Sequence, residues 1–123
     1  MGAKISGAGT STIHVEGVTS LSGARVRVIP DRIETGTYAM VVAMTGGDVL
    51  LEGAQESQLT AALDTLRKAG AEITETNSGL RVVRNGHGIH PVDVTTDPFP
   101  GFPTDLQAQF MGLMTMAKGT SRI

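Results

Sequence analysis

Two stretches of this chain are apolar on more than one face when wound as helices, and they constrain the fold more than any other feature. The run YAMVVAM, residues 38–44, follows an acidic opening at Asp31 and Glu34 and precedes Gly46-Gly47. Acidic residues suit a helix N-terminus and glycine suits its end. Farther on, Pro103 precedes Leu106, Phe110, Leu113, Met114 and Ala117, which share one helical stripe. Helices of this kind, expected at about 33–45 and 105–117, are buried on every side rather than laid on a surface. Met40, Met44, Met111, Met114 and Met116 read as core filling.

The remaining elements are arranged around those two. ESQLTAALDTLRKAG predicts an amphipathic, half-exposed helix with Ser57 as N-cap, the stripe Leu59, Ala62, Leu63 and Leu66, an Asp64–Lys68 pair and a stop at Gly70. TIHVEGV, ARVRVIP, DVLLEGA, AEITET, LRVVRN and HPVDVTT read as strands, with a turn at Asn77-Ser78-Gly79. From Pro30 to Asn85 the order is therefore helix, strand, helix, strand, strand. A shift of about 72 positions lays Gly119 on Gly47, Met116 on Met44 and Met114 on Val42. The fold class is α/β, built from a repeating βαβαββ unit, one complete and its neighbours partial.

Composition narrows the function. The chain has 123 residues, enough for one core. Four aromatic residues leave that core to Val, Ile, Leu, Met and Ala, and there is no cysteine, which excludes a disulfide, a thiolate metal site or a cysteine nucleophile within these residues. A net charge of −2 and the lack of a basic run argue against nucleic acid. No signal-like apolar core or membrane-length run occurs. The opening M-G-x-x-x-S matches a myristoylation pattern in form only. GAGTS lacks the G-K-[ST] ending of a phosphate loop. His14, His87 and His90 have no partners at metal-ligand spacing, so no metal is expected.

The acid in PGFPTDLQAQF carries the sharpest question. Thr104 or Asp105 can cap the following helix, with the carboxylate favoured by the helix dipole. Asp105 can equally serve as a general base or anchor for a substrate hydroxyl, held by a rigid Pro/Gly loop. Asp31, Arg32 and Glu34 in PDRIETGT pose the same choice between a solvated cap and a site.

GAKISGAGTSTIHVEGV, VIPDRIETGTY, TLRKAGAEI and PGFPTDLQAQFM, in this order, resemble the UDP-N-acetylglucosamine enolpyruvyl transferase family over the whole chain. The resemblance implies an inside-out α/β barrel of βαβαββ units. Residues 1–29 would end one domain and 30–123 begin the next, with Asp31, Arg32 and Glu34 near the crossing. It also implies a cytoplasmic transferase that moves enolpyruvate from phosphoenolpyruvate to the 3-hydroxyl of UDP-N-acetylglucosamine in peptidoglycan synthesis. Asp105 would act as base or hydroxyl anchor beside Thr104, without a cofactor. Since the family's cysteine loop and phosphate-binding cations have no counterpart here, the chain is expected to be an internal piece, inactive alone and prone to self-association. The alternatives are a noncatalytic binding module of the same fold and a shikimate-type enolpyruvyl transferase.

Overall fold

The computed structural model describes residues 1–123. A short antiparallel hairpin, β1 (Lys4–Ser6) and β2 (His14–Glu16), opens the chain. Helix α1 (Arg32–Thr45) follows, then β3 (Gly47–Glu52), α2 (Thr60–Ala69), β4 (Glu72–Thr76), β5 (Gly79–Arg84) and α3 (Gln107–Met114). Single 3-10 turns, Glu56–Gln58 and Thr104–Leu106, lead into α2 and α3.

The predicted order from Pro30 to Asn85 is the observed one. β5 lies between β3 and β4 and is antiparallel to both, so β3 and β4 run parallel with α2 as their crossover. Side chains alternate across this sheet. Leu51, Ile73, Leu80 and Val82 belong to the core or pack against it, whereas Asp48, Arg81 and Thr74 stay exposed. Against the inner face sits α1, which touches β3, β5, α2 and α3. Phe102 meets Phe110 edge to face at 5.4 Å, adding an aromatic contact to a core of aliphatic residues.

Several expectations are corrected. Helix α1 is not covered on every side: Tyr38 and Val41 are 60% and 46% exposed. Met111, on the outer side of α3, and Met116, past its end at Met114 rather than near 117, are exposed too. ARVRVIP forms no strand, because nothing in the chain supplies a hydrogen-bonding neighbour, and Val26 and Val28 are 87% and 84% exposed. The observed unit is thus αβαββ, without its leading strand. HPVDVTT also fails to become a strand. Val94 N donates to Arg122 O at 2.9 Å, but the flanking amides of Val92 and Arg122 donate to the side chains of Ser121 and Asp93, so no ladder is built.

The start of α2 differs from its sequence signal. Ser57 makes no cap; it lies inside the 3-10 turn, where Glu56 N donates to Glu75 Oε1 of β4 at 3.1 Å. The Leu59 amide, one that a Ser57 cap would have taken, instead donates to Glu56 O at 3.0 Å within the turn. Asp64 pairs with Arg67, not Lys68. Arg67 Nη1 donates to Glu56 Oε1 at 2.8 Å and Asp64 Oδ1 at 2.9 Å, while Nη2 donates to Ile73 O at 3.2 Å. A planar guanidinium serves three acceptors that a single ammonium could not span. Gly70 ends α2 as expected, in the left-handed conformation at φ 106°.

Candidate functional site

The N-terminus of α1 is held by Asp31. Its Oδ1 accepts from Ile33 N at 2.7 Å and Glu34 N at 3.2 Å, and its backbone oxygen accepts from Thr35 Oγ1 at 2.8 Å. These bonds satisfy amides that an α-helix leaves open at its start. Asp31 is therefore the cap that sequence reasoning allowed it to be, and it also borders a cleft.

Asp105 behaves differently. Residue Pro103, which precedes the 3-10 turn, has no side-chain acceptor, and the first turn tightens instead through Leu106 N donating to Pro103 O at 3.1 Å. Neither Thr104 nor Asp105 accepts a capping hydrogen bond from the helix. The capping reading of these two residues is corrected: the local turn needs neither side chain. The Asp105 carboxylate is exposed and makes no ion pair or hydrogen bond.

The loop before it is closed by Asp97 N donating to Phe102 O at 2.9 Å and Gly101 N donating to Pro98 O at 2.8 Å. Phe99-Pro100 is a cis peptide, and Phe102 anchors the loop in the core. With Phe102 buried, Phe99 projects outward from this frame.

These pieces converge. A cleft of about 660 Å³ is bordered by Val28 to Ile33, Ser57, Gln58, Phe99 and Asp105. A smaller recess of about 250 Å³ continues past Arg32 and Phe99 to Thr96–Pro98, Pro103, Thr104 and Asp105. Arg32 and Asp105 border both spaces, yet no salt bridge joins them. A cation and an anion that do not neutralise each other leave both available to a ligand: the guanidinium for a phosphate or carboxylate, the carboxylate for a hydroxyl.

Of the residues singled out from sequence, the structure brings Asp31, Arg32, Thr104 and Asp105 to this region. Glu34 is not among them. It points along the other side of α1, into an open space of about 520 Å³ with Tyr38 and Leu50–Glu52. Ser57, Gln58, Asp97 and Phe99 were missed as site residues. Phe99 carried a usable signal, an aromatic residue in a Pro/Gly loop; Ser57 and Gln58 carried none beyond a presumed cap.

Displaced titrations occur elsewhere. Hydrogen bonding to Arg81 holds the Asp48 carboxyl below its usual range, with partial desolvation opposing and the nearby positive charge reinforcing. The same bond raises Arg81, and bonding to Glu56 raises Arg67 against desolvation. None of these groups borders the cleft. No group of three or more His, Cys, Asp or Glu side chains is placed to hold a metal ion, and no helix is long and apolar enough to cross a membrane.

Comparison with known proteins adds chemistry to this geometry. Residues 1–123 match the family model of EPSP synthase (3-phosphoshikimate 1-carboxyvinyltransferase). The chain is 87% identical, over all 123 residues, to proteins named UDP-N-acetylglucosamine 1-carboxyvinyltransferase in Brucella ovis, Brucella canis and Brucella suis. It spans 29% of the length of each.

Proposed function

Because the chain belongs to the EPSP synthase family, we propose that it is an internal part of an enzyme transferring enolpyruvate from phosphoenolpyruvate to the 3-hydroxyl of UDP-N-acetylglucosamine. The observation that carries this reading is the Asp105 carboxylate, free of any capping bond and facing the cleft it shares with Arg32. The choice of acceptor rests on the 87% identity to relatives named for that sugar nucleotide.

In this reading the acceptor's hydroxyl gives its proton to Asp105 as its oxygen bonds to C2 of phosphoenolpyruvate, and C3 takes up a proton to become a methyl group, from an acid in the remaining length of the enzyme. C3 then loses a proton as the bond between C2 and the phosphate oxygen breaks, which restores the vinyl group and releases phosphate; in the net reaction the hydroxyl proton leaves with phosphate. Arg32 stands where it can pair with an anionic group of either substrate. Thr104, one residue before Asp105, borders the same recess and supplies a hydroxyl for hydrogen bonding. Asp31 shapes the cleft by fixing the first turn of α1.

The family's architecture extends the reading to the whole enzyme: an inside-out α/β barrel of βαβαββ units, acting in the cytoplasm in peptidoglycan synthesis. Residues 1–29 close one domain and 30–123 open the next. Two observations support that boundary: no residue before Thr35 is buried, and β1 and β2 pair only with each other. The 72-residue offset has support as well, since it maps Asp31, which caps α1, onto Pro103, which precedes the turn into α3. The 123 residues alone are inactive, because a closed site requires parts contributed by the remaining length.

The family description itself favours a second reading, with shikimate 3-phosphate as acceptor. Calorimetry of the full-length protein separates the two. Binding of UDP-N-acetylglucosamine without binding of shikimate 3-phosphate is the expected result; the reverse preference would overturn the assignment.

A further inference from the structure

Gly36 lies on the second turn of α1, four residues after Arg32 and therefore on the same face of the helix. It is buried, and the space a side chain would need is filled by Leu106. A Cβ at position 36 would stand 2.5 Å from Leu106 Cδ1, 3.0 Å from Cδ2 and 3.4 Å from Cγ. Leu106 is fully buried, so its side chain has no solvent to swing into. It belongs to the same three-residue turn as Asp105. The closest approach of α1 to this turn is thus made through one missing Cβ, with Arg32 one helical turn to one side and Asp105 one residue to the other.

We infer that Gly36 is a positioning residue: its bare Cα lets Leu106 seat against α1 and so sets how far Asp105 stands from the Asp31–Arg32 end of the cleft. A second tie, Gln109 Nε2 donating to Thr37 Oγ1 at 3.0 Å, joins α3 to the α1 residue that follows Gly36. Adding a methyl group at position 36 pushes the turn outward, since a core packed to contact transmits strain rather than absorbing it. The inference rests on the role proposed for Asp105, because displacement matters to turnover only if that carboxylate acts on substrate. A shift of about 1 Å in a reacting group can lower a rate about a hundredfold.

The test uses the full-length protein, with UDP-N-acetylglucosamine and phosphoenolpyruvate as substrates and phosphate release as readout. Gly36→Ala is expected to lower kcat about 10–100-fold, with KM changed less than about threefold. Its melting temperature should fall only modestly, since the helix preference of alanine over glycine offsets part of the overpacking strain. Leu106→Val, which removes the two crowded methyl positions, is expected to restore much of kcat when combined with Gly36→Ala. Parental turnover in Gly36→Ala, or a loss that Leu106→Val leaves unrelieved, would overturn the inference. If Gly36→Ala does not fold, Leu106→Ala decides: it loosens the same contact from the other side, and an unchanged kcat there would overturn it. Asp105→Asn in parallel separates the two claims. Normal turnover in that variant defeats the role of Asp105, whereas a slow Asp105→Asn beside a normal Gly36→Ala defeats only the positioning.

Discussion

At the scale of single residues, two aspartates at two helix starts do different jobs. Asp31 accepts hydrogen bonds from two backbone amides on one carboxylate oxygen. Asp105 takes none. Sequence alone left both readings open at both positions, because a carboxylate beside a proline and ahead of an apolar run has the same pattern whether or not it caps. What decides is the residue ahead of the turn and the 3-10 geometry it permits. The difference predicts unequal stability losses. Asp31→Ala should destabilise the chain by about 1 kcal/mol, the usual loss for a helix cap. Asp105→Ala should change it by less than about 0.5 kcal/mol, as for surface positions without special contacts. Urea denaturation of the two variants checks this; equal losses would return Asp105 to a capping role.

At the scale of elements, the helices were legible and the strands only in part. The stripe Leu59, Ala62, Leu63 and Leu66 is buried as its spacing requires, and Gly70 ends α2. Strands are less legible because half of what makes one lies on its neighbour. AEITET and LRVVRN found each other across a tight turn, whereas ARVRVIP alternates as well and has no neighbour to pair with. The site was hidden for a related reason: Phe99, Gln58 and Arg32 meet only after a proline loop, the entry to α2 and the start of α1 are folded together. Phe110 holds the loop and α3 to the core through Phe102 and is fully buried. Replacing it with Ala should destabilise the chain by about 3–5 kcal/mol. A loss below about 1 kcal/mol in thermal or urea unfolding would mean that α3 is not docked as described.

At the scale of the whole molecule, the order of elements and the family were readable from sequence, while the exposure of the surfaces was not. Both helices expected to be buried on all sides show apolar side chains to solvent, Tyr38 and Val41 on α1 and Met111 on α3, and residues 26–29 add Val26, Val28 and Ile29. Apolar surface of this extent favours association. We therefore expect the isolated 123-residue chain to self-associate; a monodisperse monomer by light scattering at high concentration, with no dye bound to apolar surface, would contradict that expectation. The proposed function, however, requires Asp105 to act upon substrate. Asp105→Asn in the full-length protein keeps the side chain's size and removes its basicity, and steady-state turnover with UDP-N-acetylglucosamine and phosphoenolpyruvate reads the effect. A fall in kcat of about 10²–10⁴ with an unchanged melting temperature is the predicted result; turnover near that of the parent would contradict it.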